Sequence, residues 1–344
     1  WKPDFGPAEF NKSVEKSGVT GISARDFLVA YNINLNTTST RRANAVAFDI
    51  REAGRIKREG GTLSGKIMKD EDGNPLKEPG LFKAVKGIGW YIEEYGVAQI
   101  SYNLTDINIS PLHEVFDKTC ERSISRGMRV TGSELIGLVP KKVLIDAGKH
   151  FLKKQERSTG INESEIIKIA IKTLGLEELA PFDPQERIIE YMLENDANKP
   201  LVNMTLTGFA NETASESPAP GGGSIAAYCG AMGISLGTMV ANLSAHKRGW
   251  DDKWEEFSNW AEKGMEYQNT LLGLVDEDTN AFNKIMDAFR LPKDTKADKA
   301  KRQDAIQAAT KYAILTPFKV METAYHSMEV MKAMAEFGNP NSVT

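Results

Sequence analysis

The spacing of apolar positions changes character about halfway along the chain. Residues 27–35 are rich in β-branched and aromatic side chains and partly alternate, which predicts a strand buried on one or both faces. From Ser39 onward, Ala43, Val46, Ala47 and Ile50 recur at helical spacing and Gly54 ends them, so a helix follows. Residues 57–80 are dense in glycine and charge and read as a long loop with a turn at its tip. Residues 84–92 and 97–104, separated by a short turn through Gly96, predict a hairpin. Ser110 and Pro111 open a helix as N-cap and first residue, with Leu112, Val115, Phe116 and Thr119 on one face and Gly127 at its end. A strand over 129–139, broken at Gly132, leads to Pro140 and a helix to about Lys154. The order β-α-β-β-α-β followed by a helix is the ferredoxin-like split βαβ arrangement, an α+β fold with helices on one face of an antiparallel sheet.

After Gly160 the period is almost entirely helical. Residues 163–174 and 183–193 predict helices, the second with Asp183 as N-cap, Pro184 at the first position and Glu186 completing a capping box. The polar run 195–200 reads as a linker, with a domain boundary there, and helical patterns over 224–244, 252–289 and 297–336 predict an all-α second domain. No charged side chain occurs from Ser217 to Ala245, which raises the question of a membrane span. Glycines and small polar residues dilute the stretch, so a helix buried within a bundle is the favoured reading and no span is expected. Ala226, Gly230, Gly233 and Gly237 form a stripe of small residues suited to a close helix crossing, within or between subunits.

Composition fits this outline and removes several function classes. The 344 residues are 41% hydrophobic and 26% charged, ordinary for globular chains of about two domains. Cys120 and Cys229 form no CxxC pair, which fits a reducing cytoplasm and argues against a zinc cluster. His113, His150, His246 and His326 show no metal-ligand spacing, so no metal is expected. The net charge of −4 divides into 25 basic and 20 acidic residues over 1–160, and 18 and 27 over 161–344. Neither half carries the basic stripe of a duplex-binding surface, so nucleic acid is not an expected partner. The chain opens on Trp1 rather than methionine and stops without an evident helix end, which leads us to expect a piece of a longer polypeptide.

Three segments could carry chemistry. The turn Pro220, Gly221, Gly222, Gly223 and Ser224 allows close backbone approach, and free N–H groups of a following helix can hold an anion. The plain alternative is a helix start with Ser224 as N-cap. Around residue 276, Asp276, Asn280 and Asn283 share one helix face while Asp278 lies on another. A half-buried carboxylate beside amides suits general acid/base work, against the commoner reading of a solvated acidic face. Finally, the aromatic and proline-rich run at residues 1–7 could form a flat wall against a ring or serve as a surface linker. His246, Lys247 and Arg248 form a cationic cluster, read first as helix capping and second as an anion contact.

The segments 1–7, 27–35, 85–91, 132–140, 181–191, 219–224, 274–278 and 289–293, taken in order, resemble the formimidoyltransferase-cyclodeaminase family over nearly the whole chain. The resemblance implies a bifunctional folate enzyme of histidine degradation with no metal requirement. It would pass the formimino group of N-formimino-L-glutamate to tetrahydrofolate, then close the ring to 5,10-methenyltetrahydrofolate with loss of ammonia. Residues 1–11 would end the transferase N-terminal subdomain, 12–187 form its C-terminal subdomain, 188–200 a linker and 201–344 the cyclodeaminase. The resemblance assigns the folate site to Trp1, Lys2, Pro3, Asp4, Phe5, Gly6, Pro7, Ala8, Glu9 and Phe10, and the cyclodeaminase carboxylate to Asp276, with Asp278 as alternate. Gly221, Gly222, Gly223 and Ser224 would bring backbone close to the folate. The transferase's histidine base would precede Trp1 and the cyclodeaminase would stop short after Ser342, with further helices expected, so no transferase activity and impaired or absent cyclodeamination are expected of these 344 residues alone. A cytoplasmic homo-oligomer formed through the helical domain is implied. The lysines of the helix after Pro140 read as a solvated face, with attraction of a polyglutamate tail as the second reading. Two alternatives remain, a cyclohydrolase-like second domain and a non-catalytic assembly module.

Overall fold

A computed structural model describes residues 3–6, 8–24, 26–61, 64–194 and 199–342. The first region runs α1 (Lys12–Ser17), β1 (Val29–Leu35), α2 (Thr40–Ile50), β2 (Arg55–Ile56), β3 (Lys77–Glu78), β4 (Val85–Ile92), β5 (Val97–Leu104), α3 (Leu112–Ile124) and β6 (Val130–Ile136). It continues through α4 (Lys141–Lys154), α5 (Glu163–Leu174), α6 (Pro184–Arg187) and α7 (Ile189–Leu193). The second region holds α8 (Leu206–Thr213), α9 (Gly222–Ala245), α10 (Trp254–Arg290) and α11 (Lys296–Phe337).

The four long strands form one antiparallel sheet in the order β4-β5-β1-β6. Register sets Ile33 opposite Ile100 on one side of β1 and opposite Ser133 on the other. Alternation then puts Tyr31, Ile33, Leu35, Ile100, Tyr102 and Leu104, all fully buried, on the face that α2 and α3 cover. The two buried tyrosines keep hydrogen bonds: Tyr31 donates to Ser133 Oγ at 2.9 Å, and Tyr102 Oη lies 3.1 Å from Thr119 Oγ1. The opposite face is polar. Asn34 and Gln99 are buried there beneath the segment after α5, and Gln99 Nε2 donates to Asn34 Oδ1 at 2.7 Å while Asn34 Nδ2 donates to Glu178 at 2.6 Å.

Three local expectations change. Residues 57–80 are not a plain loop: β2 and β3 pair, and bridges at Arg58–Ile67 and Lys69–Pro75 extend an irregular hairpin. Its tip is an Asx turn in which Asp70 Oδ1 accepts from the N–H groups of Asp72 and Asn74. Ser110 does not cap α3, because Pro111 holds that position and Ser110 Oγ donates to Lys83 O at 2.6 Å. The helix expected over 183–193 is two short helices broken at Ile188, whose backbone is extended (φ −91°, ψ 122°). Ile188 is fully buried and bridges Val139, so packing and a strand-like pairing outweigh helical continuity.

In the second region α9, α10 and α11 pack on one another around a separate core running from Leu201 to Met334. α9 is long and apolar enough, by length and composition, to cross a membrane, and it packs here against α10 and α11. The small-residue stripe is divided: an added Cβ at Gly230 or Gly237 would meet α10 or α11 side chains at 3.3 Å, while Gly233 faces open space. α9 and α10 approach closely at Gly264, where a Cβ would lie 2.1 Å from Thr238 Oγ1. The two regions touch through the loop after α4. Thr159 N–H donates to Ser258 Oγ at 2.9 Å, Asn242 Nδ2 to Gly160 O at 2.8 Å, and Lys149 pairs with Glu262 at 2.7 Å.

Candidate functional site

Three consecutive acidic residues on α10 point in three directions, because each step along a helix turns the side chain by about 100°. Asp276 is only 5% exposed, and both its oxygens accept backbone N–H groups, Leu201 at 2.8 Å and Val202 at 3.1 Å. It therefore ties the chain entering the second region to α10. Glu277 turns outward, accepts the Tyr312 hydroxyl and lies 3.7 Å from Lys284. Asp278 turns toward the start of α9, where Ser224 N–H donates to Oδ2 at 3.0 Å and Ser224 Oγ lies 3.4 Å away.

The glycine turn explains that meeting. α9 begins at Gly222 with Gly221 as N-cap, whose extended backbone offers no side-chain acceptor for the free N–H groups. Asp278 supplies one from the neighbouring helix, at the end where the helix dipole favours negative charge. Gly223 makes room for it: a Cβ there would sit 2.1 Å from Asp278 Oδ1. At Gly221 the nearest atom, Asp278 Oδ2, would be 3.6 Å away, and Gly222 faces open space. Ser224 is not the N-cap that the plain alternative reading made it. It is fully buried within the first turn and its hydroxyl donates to Val275 O at 2.7 Å, locking α9 onto α10.

The structure thus joins the glycine turn to Asp278 and turns Asp276 away to residues 201 and 202. Asn280 is half-buried and Asn283 exposed, so the expected carboxylate-amide face does not close on Asp276. Of the first segment, Trp1, Lys2 and Pro7 lie outside the described residues. Pro3 is half-buried, and Asp4, Phe5, Gly6, Ala8, Glu9 and Phe10 are exposed, with the Phe5 and Phe10 rings 94% and 82% bare.

The histidines are dispersed. His113 packs against His150 with ring centroids 4.5 Å apart and the rings tilted by 32°, and burial, then the neighbouring His150, push it down to about 4. His150 Nε2 lies 2.7 Å from Asp117 Oδ2, which Lys154 also contacts at 2.8 Å. His246 lines a cavity of about 580 Å³ between the regions, with Asn162, Ser235, Asn242 and Gln268. Lys247, next to it, lies over the Trp250 ring at 3.9 Å. Among the described residues no group of three or more His, Cys, Asp or Glu is placed to hold a metal ion. Two features escaped the sequence reading: this cavity, and the polar sheet face with Trp90 Nε1 donating to Gln99 Oε1 at 3.3 Å. The alternation of Asn32 and Asn34 within β1 was the available signal for the second.

Comparison with known proteins gives the context. A family model described as "Formiminotransferase domain" matches residues 30–194, and one described as "Formiminotransferase-cyclodeaminase" matches residues 205–344. Formimidoyltransferase-cyclodeaminase of Gallus gallus is 37% identical over 98% of this chain and 58% of its own length. The chain belongs to the formimidoyltransferase-cyclodeaminase family. That of Mus musculus is 36% identical with the same coverage. The chain spans 58% of the length of these curated relatives. A methenyltetrahydrofolate cyclohydrolase of Methylorubrum extorquens is 35% identical over 41% of this chain and 68% of its own. The Asp278-glycine turn and the polar sheet face are two places where the geometry of this chain gathers polar groups.

Proposed function

We propose that the chain carries part of a bifunctional folate enzyme, a ferredoxin-like transferase subdomain over residues 12–187 joined by 188–200 to a cyclodeaminase over 201–344, with 1–11 contributing to a folate site. The order of the family matches and the strand order β4-β5-β1-β6 support this division. The whole reaction passes a formimino group from formiminoglutamate to N5 of tetrahydrofolate, after which N10 closes onto that carbon and ammonia leaves, in a reducing cytoplasmic setting.

In the second step a group must take the proton from the attacking N10, return one to the departing nitrogen and stabilise the cationic centre between them. A carboxylate can do all three. The observation that carries our assignment is that Asp278, not Asp276, lies against the glycine turn, where backbone can approach a ligand closely. Asp276 has both oxygens occupied by backbone N–H groups and serves as an anchor. Asp278→Asn should lower the rate of cyclodeamination of 5-formiminotetrahydrofolate by roughly 10²–10⁴-fold at a stability cost of no more than about 1 kcal/mol, since the amide oxygen still accepts the Ser224 N–H. Asp276→Asn should lower stability by about 1–3 kcal/mol and leave the rate of the folded fraction near wild type. The reverse pattern would return the catalytic role to Asp276, and absence of saturable 5-formyltetrahydrofolate binding by the wild type would support a pure assembly module.

The 35% identity to a methenyltetrahydrofolate cyclohydrolase favours a second reading, hydrolysis of the methenyl bridge. Release of ammonia from 5-formiminotetrahydrofolate, against hydrolysis of 5,10-methenyltetrahydrofolate, separates the two.

A further inference from the structure

A further cavity lies on the helix-covered side of the sheet, where the hairpin 55–78 folds over α2. It measures about 650 Å³, within the range of small-molecule pockets. Its walls carry Arg41, Arg51, Arg55, Lys57 and Arg58 against only Asp49 and Glu78. Asp49 is already committed, since it pairs with both Arg55 and Arg126. Arg51 lies over the Phe48 ring at 3.9 Å and donates to the carbonyls of Gly54 and Gly87, so its guanidinium is held in place without a carboxylate. Arg58 spends one N–H on Gly65 O at 2.9 Å. Among the described residues neither Arg41 nor Lys57 has a carboxylate partner, and both are exposed at the rim.

This excess is local. On α4, four of the five lysines noted from sequence, Lys141, Lys142, Lys149 and Lys154, pair with a carboxylate. Cations gathered in a concave site, two of them fixed by the fold and two without acidic partners, are arranged to receive negative charge from a ligand. Guanidinium groups favour planar, bidentate oxyanions, and Phe48 and Met68 add an apolar wall. We propose that this cleft binds a small polyanion bearing two or more carboxylate or phosphate groups, at a site separate from the glycine turn and from the polar sheet face.

Calorimetric titration of the chain at constant ionic strength, with citrate as the polycarboxylate probe and pyrophosphate as the polyphosphate probe, tests it. Saturable one-to-one binding of at least one probe is expected. Arg41→Ala and Arg58→Ala should each weaken it about tenfold, the loss of one charge-assisted contact. Lys142→Ala and Lys153→Ala on α4 should leave it unchanged. Tighter citrate assigns the carboxylate class and tighter pyrophosphate the phosphate class. Arg41 is exposed, so its removal leaves the core intact, and an unaltered thermal melt checks this. The proposal fails if neither probe saturates, if the Arg41→Ala and Arg58→Ala variants bind as wild type, or if the α4 variants weaken binding equally, which would mean diffuse attraction only.

Discussion

Gly223 shows how one missing side chain decides the chemistry of its neighbour. A methyl group there would fall within 2.1–2.7 Å of all three atoms of the Asp278 carboxyl group, so the carboxylate must move off the start of α9. Gly223→Ala should therefore cost about 1–3 kcal/mol from overpacking and reduce cyclodeamination as Asp278→Asn does, whereas Gly222→Ala, facing open space, should do neither. Paired denaturant melts and rate measurements decide it. Both partners were legible in the sequence as isolated motifs, but not their pairing. Ser224 and Asp278 are 54 positions apart, and helical phase alone cannot say which of two carboxylates faces a neighbour. A second residue-scale consequence concerns acid. His113 is held near 4 by burial and by His150, against about 6.5 in an unfolded chain. Between those values the unfolded chain takes up a proton that the folded one does not, so stability falls as pH drops from about 6.5 to about 4. The urea midpoint should fall less between pH 7 and pH 5 in His113→Gln than in wild type; equal falls would refute the assignment.

At the scale of elements, long segments with one clear period were legible because one face of each is buried by the fold their own pattern implies. β1, β4, β5, α2, α4 and α5 are of this kind. Elements shaped by a distant partner were not. The break at Ile188 exists because Val139 claims its backbone, and the hairpin over α2 because charged, glycine-rich residues pair at bridges too short to leave a strand pattern. The contact between regions belongs to the same class. Gly160 rests so close to α10 that a Cβ would lie 2.2 Å from the Ala261 carbonyl carbon, and the Gly160 carbonyl accepts from Asn242. Gly160→Ala should thus force the 157–160 loop off α10, breaking the Thr159 and Asn242 hydrogen bonds at a cost of roughly 2–4 kcal/mol. Faster proteolysis between α4 and α5, with the sheet still protected from hydrogen exchange, is the expected signature. Protection equal to wild type in that loop would show that backbone there yields freely.

For the molecule as a whole, the exposed apolar surface of the helical region is what the single chain leaves unfinished. Met232, Leu236, Met239 and Leu243 line the outer face of α9, at 48–57% exposure, at spacings of three and four. Ile314, Phe318, Met321, Tyr325 and Met328 do the same along α11, at 52–74%. Stripes of this periodicity suit helix packing, and exposed apolar surface of such extent marks an interaction surface. The assembly we propose, a homo-oligomer through the helical region, would cover them with the same stripes of another copy. It would also keep α9, apolar enough in length and composition to span a bilayer, within protein. Replacing Leu236 or Phe318 by Lys removes little from the folded monomer, because both side chains are about half exposed, yet sets a charge in the seam. Sedimentation equilibrium should show wild type assembled at micromolar concentration and each variant shifted toward monomer, with helical content retained. A monomeric wild type, or variants that assemble as tightly as wild type, would leave both seams for a different partner.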